Sequence, residues 1–383
     1  MIIMEKLSSE LLKNINYSTN LIYENISRII KSNKSIGVYG NGVYAKYIVN
    51  NLKKWSIDVD YYVVDDEYYN ESADSNVIKL SSLGKYSDSI LIIGFETLIG
   101  KEAFLRNKTA KVLFYAPGIE ILDFEHCYIN YDFISYKYIL DNIDAFQQTY
   151  NALSDVLSRR VMVEYLNTCI SGRSELLGLL NQDCVHDYDY DLLFSNPGNN
   201  KLVLECGAFD GKTAIELDDY LASADLNMTI LALEPDSHNF NTMCDKITKK
   251  PKIKPLPFGV ASKDGVLLFD QQGDSGSTIV QNAVSGKNTI QIPVKSIDSI
   301  MEEYGSVNSV LMDIEGSELD VLNGALNTIE KNMPRFAVRV YHKKDDLITI
   351  PQYFIDLKSK KYNLYLRNSQ NTRGHLDLTL YAI

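Results

Sequence analysis

The chain has 383 residues, of which 45% are apolar and 23% charged, the balance of a globular protein with room for two domains. Its net charge of -12, with no basic stripe, argues against a nucleic-acid binder, because neutralising phosphates needs clustered Lys and Arg. No run of about 18 apolar residues exists to span a membrane, and Glu5 comes too early for a signal peptide. The cysteines, Cys127, Cys169, Cys184, Cys206 and Cys244, are never spaced as C-x-x-C. That pattern fits reduced thiols in a cytoplasmic protein and gives no zinc site.

In chain order, residues 1–33 read as helix, with Leu11, Leu12, Ile15, Leu21, Ile22, Ile26, Ile29 and Ile30 at helical spacing. Residues 34–125 alternate strands and helices: SIGVYG, VYAKYIVNNLKKW, VDYYVV, SILIIGF and KVLFYA. Apolar strands joined by crossover helices predict a small parallel sheet. Gly40, Gly42 and Ala45 satisfy G-x-G-x-x-G/A between strand and helix, and Asp65 and Asp66 end the next strand where a ribose-binding acid belongs. This Rossmann-like domain is short, close to one mononucleotide-binding half. It offers a nucleotide or nucleotide-sugar site, or a scaffold that keeps the turn without a ligand. It lacks the redox residues of a complete dehydrogenase.

Residues 126–199 carry few strand signals and predict a helical connector, with Leu153, Val156, Leu157, Val161, Val163 and Leu166 toward one face. From residue 200 a second α/β series begins: KLVLEC, TILALE, IKPLPFGV, SVLMDI, RFAVRVY, YNLYLRN and DLTLYAI. The last two form a hairpin-like pair and place one antiparallel strand in the sheet.

The stretch VLECGAFDGKT runs from a strand through a small-residue bend into a helix. Its spacing, Gly207-Ala208-Phe209-Asp210-Gly211, is not a dinucleotide fingerprint, and Glu205 just before the bend would repel a pyrophosphate. A carboxylate there suits an ammonium group, and the following helix N-terminus, from Thr213 on, suits a carboxylate. Glu234, in LALEPD with Pro235 and Asp236, stands where an acid accepts both ribose hydroxyls. An amino acid joined to a ribose is S-adenosylmethionine. The alternative is a glycine bend that only lets a helix pack on a sheet.

These segments resemble the FkbM family of S-adenosylmethionine-dependent methyltransferases. The resemblance covers residues 200–383, through LECGAFDGKT, LALEPDSHNFNTM, LPFGVASKDG, SGST, VKSIDSIM, MDIEGSELDVLNGA, YHKKDDLITIP, LYLRNSQ and LTLYAI, in the family's order. LSDVLSRRVMVEYL is similar to the connector of longer members. The resemblance implies a seven-stranded class I methyltransferase sheet whose last strand is antiparallel. It also implies cofactor contacts from the bend, from Gly259 and Val260, and from Asp313. The implied reaction is methyl transfer to a hydroxyl or amine of a small molecule, glycan or glycoprotein, as in bacterial surface or flagellar glycan modification. Met312 stands where the family commonly has lysine, and QDCVHDYDYDLLF replaces a Q-Y-F-like stretch.

An alcohol acceptor needs its proton removed, so a base belongs at the ends of the fourth and fifth strands of the second series. LMDIEGSELD supplies Asp313 and Glu315 there, and RFAVRVYH supplies His342. His342 is the leading base because its ordinary pKa lies near neutrality. Asp313 and Glu315 would orient it, bind substrate hydroxyls, or hold a divalent metal with it. Glu318 and Asp320 read as capping or solvated residues, and Asp298 as the cap of its own helix. Ser275, Ser277 and Thr278 either approach the ligands or make a turn. The other function class open to the sequence is a non-catalytic nucleotide or nucleotide-sugar binder whose methyltransferase-like domain is an assembly module; a homo-oligomer is also open.

Overall fold

The computed structural model describes residues 10–15, 21–70, 76–86, 88–94, 120–122, 134–171, 180, 186–270, 278–280, 289–357, 361–368 and 378–383. The predicted strand KVLFYA and the residues Ser275 and Ser277 lie outside these. Two compact units form, one from Ile3–Asp141 and Val163–Leu179, the other from Asn142–Met162 and Leu180–Ile383. The helical stretch expected between the sheets includes Tyr136–Asp141, Ile143–Ala152 and Val156–Ser171, and its residues are shared between the two units.

The first unit is built on a parallel sheet of β1 (Ser35–Tyr39), β2 (Tyr61–Val64), β3 (Val77–Lys79), β4 (Ser89–Ile93) and β5 (Glu120–Leu122), in the order β3-β2-β1-β4-β5. Alternate residues of β1 and β4 serve opposite faces. Val38, Ile90 and Ile92 pack with Ile48 and Leu52 of the crossover helix Val43–Lys54 and with Ile26 and Ile29. Tyr39, Leu91 and Ile93 pack with Tyr61, Val63 and Leu83 on the other face. Burial on both faces is why these strands read as continuous apolar runs.

The second unit contains β6 (Leu202–Cys206), β7 (Thr229–Leu233), β8 (Ile253–Leu256), β9 (Gly259–Val260), β10 (Gly265–Asp270), β11 (Thr278–Val280), β12 (Thr289–Lys295), β13 (Val307–Met312), β14 (Arg335–Arg339), β15 (Leu364–Asn368) and β16 (Leu378–Ala382). Seven of these form one sheet, β15-β16-β14-β13-β6-β7-β8, with β16 antiparallel to both neighbours and the other pairings parallel. This is the α/β architecture expected of a class I methyltransferase. Val203, Ile230 and Ala232 pack against Ala214, Leu217 and Leu221 of the helix Lys212–Ser223; each large apolar side chain buried this way contributes roughly 1.5–3 kcal/mol.

The strand order departs in opposite directions from β6 and β13, so a crevice opens between their carboxyl ends, the place where such sheets bind ligands. A second sheet, β11-β10-β12-β9, is inserted between β8 and β13. Its strands β10 and β12 are absent from the sequence reading. The segment 186–194 is tied to the main sheet by several hydrogen bonds and ion pairs: the Asp189 amide donates to the Tyr381 hydroxyl at 2.7 Å, Arg335 of β14 donates to the Leu193 carbonyl at 2.7 Å, and Arg367 of β15 reaches Asp189.

Candidate active site

The bend after β6 is fixed by backbone contacts. The amides of Gly207 and Ala208 donate to the Leu233 carbonyl at 3.1 and 2.9 Å, and the Asp313 amide donates to the Cys206 carbonyl at 3.0 Å. Gly207 has φ +84°, and a Cβ there would stand 1.9 Å from the Asp313 carbonyl oxygen. Glycine is therefore required by both conformation and closeness, and its absence of side chain lets the β6 bend press against the end of β13. Gly211, with φ +79°, begins the helix Lys212–Ser223.

Glu205 is buried, and its Oε2 has no hydrogen-bond partner. Burial, then the charges of Asp187, Asp313, Glu234 and Glu216, push its pKa up to about 8. An unsatisfied buried carboxylate among other acids is a site for a cation with N–H donors. Glu234 is also buried; its Oε2 accepts from the Phe209 amide at 2.9 Å and its Oε1 from the Asp236 amide at 2.8 Å. Burial raises its pKa to about 7 against those hydrogen bonds. Each carboxylate oxygen keeps a further lone pair, so the acid that shapes the bend also retains acceptor capacity for a diol.

The remaining residues expected at the cofactor site divide. Asp236 caps the helix Ser237–Lys246 by accepting from the His238 and Asn239 amides, and it is fully buried. Asp210 pairs with Lys246, and the Thr213 hydroxyl donates to Asp187 at 3.4 Å. Gly259 and Val260 form β9, with Pro235 against Gly259.

At the ends of β13 and β14 the structure brings Asp313, Glu315 and His342 together. His342 Nε2 lies 3.2 Å from Asp313 Oδ1 and 3.8 Å from Glu315 Oε2, and its Nδ1 lies 2.7 Å from Glu318 Oε1. Burial pushes the imidazolium down in pKa, but hydrogen bonding to Asp313 and Glu318 outweighs it and leaves the ring well above the ordinary histidine value. The carboxylates around His342 thus favour its protonated form, where the sequence reading starts from a pKa near neutrality. Burial pushes Asp313 up, while His342 and Arg339 more than offset this and hold it below the usual carboxylate range.

Glu318 corrects a second expectation. It is neither capping by side chain nor solvated: it is fully buried, and its Oε1 also accepts from the amides of Ile314 at 3.2 Å and Gly316 at 3.4 Å. One carboxylate therefore holds both the Asp-Ile-Glu-Gly turn and the imidazole. Asp346 accepts from the Lys343 amide at 2.7 Å, and burial raises its pKa to about 6. Asp298 also differs, since Ser296 caps its helix while Asp298 caps the helix Leu326–Asn332 through the amides of Asn327 and Thr328. Asp320 accepts from the Ser262 amide at 3.0 Å at the surface.

Arg339, Tyr188 and Asp187 were missed. Arg339 is buried at the end of β14, with Nε 3.4 Å from Asp313 Oδ2, Nη1 donating to the Thr379 hydroxyl at 2.8 Å, and its guanidinium 4.3 Å from the centre of the Tyr188 ring. The available signal was the arginine inside the apolar run RFAVRVY, which a central strand tolerates only with partners.

In the first unit the expected bend is present. Gly40 has φ +115° and its amide donates to the Val63 carbonyl at 2.8 Å; Gly42 precedes the helix, and Ala45 is buried near Gly94. Asp65, expected to face a ribose, accepts a hydrogen bond from the buried Tyr39 hydroxyl within the unit.

The seven-stranded sheet with its antiparallel β16, and the acid-lined bend at the switch point, define a domain of the class I methyltransferase type. Residues 205–364 match the Methyltransferase FkbM domain. The crystal structure of Methyltransferase FkbM from Methylobacillus flagellatus KT aligns over 99% of this chain and 96% of its own, with TM-score 0.65 and 19% identity, a likeness of fold. The hexuronic acid methyltransferase AglP of Haloferax volcanii is 30% identical over 107 residues, 26% of this chain. The chain spans 43% of the length of that relative.

Proposed function

We propose that this protein transfers a methyl group from S-adenosylmethionine to a hydroxyl of a glycan or glycan-linked acceptor. The observation that carries the reading is the pair of buried acids at adjacent strand ends, Glu205 with an unsatisfied oxygen and Glu234 with spare acceptor capacity. Glu205 would hold the ammonium group, Glu234 the ribose hydroxyls, and the start of the helix Lys212–Ser223 the carboxylate. When bound, S-adenosylmethionine supplies an electrophilic methyl on a sulfonium. The chain's own task is alignment, exclusion of water and removal of the acceptor proton. The last would fall to Asp313, Glu315 and His342, which lie together after β13 and β14.

The glycan acceptor is supported by the hexuronic acid named for AglP and by the polar lining of the β13 and β14 ends; surface or flagellar glycans are the acceptor class that follows. Calorimetry with S-adenosylmethionine tests the cofactor assignment. Glu234→Ala should weaken binding by roughly 1–3 kcal/mol, the worth of charge-assisted hydrogen bonds. Unchanged affinity in a folded variant would remove the assignment.

A further inference from the structure

The Asp313, Glu315 and His342 cluster has a geometry that proton transfer alone does not require. Asp313 Oδ1 and His342 Nε2 are both buried and 3.2 Å apart, within ion-pair range but outside hydrogen-bond geometry. Glu315 Oε2 approaches the same nitrogen at 3.8 Å. One ligand atom from each of the three residues lies within 4.8 Å of the other two, and the His342 side chain is only 6% exposed. Donors held about 2.1 Å from an octahedral ion lie about 3 Å apart, close to the spacing here.

The opposite edge of the ring is already satisfied. Nδ1 lies 2.7 Å from Glu318 Oε1, an oxygen that also takes two backbone amides, and Asp346 is engaged by the Lys343 amide. With a metal ion in place of the Nε2 proton, Glu318 would keep the remaining proton on Nδ1 and leave the lone pair on Nε2, the arrangement by which carboxylates orient metal-binding histidines. Glu315 is held at φ +54°, a left-handed conformation uncommon for a residue with a side chain, which turns it back toward the ring edge.

We infer that Asp313, Glu315 and His342 Nε2 bind one hard divalent cation, of the Mg²⁺ or Mn²⁺ class, with Glu318 as the residue that positions the histidine. One nitrogen and two carboxylate oxygens suit these ions, and the remaining coordination positions are open to water or to hydroxyls. The inference deepens the proposed methyl transfer: an acceptor hydroxyl on the ion would lose its proton to solvent or to a neighbouring carboxylate more readily. A sugar, with adjacent hydroxyls, could supply two ligands.

The test uses Mn²⁺ alone with the full chain. Calorimetry and electron paramagnetic resonance should show one site, with nitrogen coupling from a histidine. Glu315→Gln should lower Mn²⁺ affinity at least tenfold, and His342→Gln should abolish the nitrogen coupling. Glu318→Gln should weaken Mn²⁺ by about 10–100-fold while leaving one site, as loss of an orienting carboxylate does. Chelation should stop turnover, and added Mn²⁺ or Mg²⁺ should restore it. Absence of a Mn²⁺ site, or a site indifferent to Glu315→Gln in folded protein, overturns the inference. S-adenosylmethionine binding measured in the same samples keeps the readings apart. If it persists without a Mn²⁺ site, only the metal inference fails; its loss would refute the cofactor assignment itself.

Discussion

If Glu205 receives the ammonium group of S-adenosylmethionine, binding must depend on pH in a calculable way. Burial and the surrounding acids raise its pKa from 4.5 to about 8. A raised carboxyl pKa means that the folded, unliganded protein prefers the neutral acid. Its stability contribution is therefore lost as pH climbs from the unfolded value toward 8. An ammonium ligand reverses this preference and selects the carboxylate. With a pKa of about 8, about one molecule in a hundred is ionised at pH 6 and half at pH 8, a gain of about 50-fold that the ligand's own α-amino group, titrating near 8, cuts to about 25-fold in affinity. At pH 7 ionisation of Glu205 should release about 0.9 proton per site, with up to about 0.5 more from Glu234, read from calorimetric enthalpies in buffers of different ionisation heat. Glu234, raised to about 7, adds up to about tenfold over the same range. Glu205→Gln should bind more weakly, should lose the larger limb and retain the smaller, and should destabilise less with rising pH, the remainder coming from Glu234 and Asp346. Wild-type affinity that is equal at pH 6 and 8, or a limb that survives undiminished in Glu205→Gln, would refute the reasoning.

His342→Ala should lower turnover by about 10²–10⁴, the contribution of assisted proton removal, while S-adenosylmethionine affinity stays within a factor of about two; near-normal turnover would remove His342 from the reaction. Gly207→Ala forces a side chain into a left-handed position, costing roughly 1–2 kcal/mol from conformation alone, and sets a Cβ against the Asp313 carbonyl. Denaturant unfolding should register more than that figure, and an unperturbed midpoint would contradict the close approach of β6 and β13. Arg339→Met strands Asp313, which is partly exposed, and should cost about 3 kcal/mol, the low end for a broken buried pair. Combining it with Asp313→Asn should recover part of that loss in a double-mutant cycle, and strict additivity would show that the two side chains do not interact.

The local sequence determined a great deal. Runs such as SILII and LVLEC had to be buried strands because their composition suits burial on both faces. The bend at residues 207–211 was legible because its glycines take conformations that other residues resist. The positions of Glu205 and Glu234 at adjacent strand ends were legible because the apolar runs of β6 and β7 fix the strands that carry them. Tertiary structure decided what depends on distant partners. Whether Glu318 faces solvent or His342 is set by how the helix beginning at Glu318 lies beside the end of β14, 24 residues on. Asp298 caps a helix 29 residues away, a pairing invisible to local spacing. The inserted sheet escaped notice because β10 and β12 are joined across a long separation, although TIQIPVK does carry a period of two. The state of His342 was the furthest from the sequence. A histidine's pKa belongs to its surroundings, and here the three carboxylates beside it arrive from β13, the turn after it and the following helix.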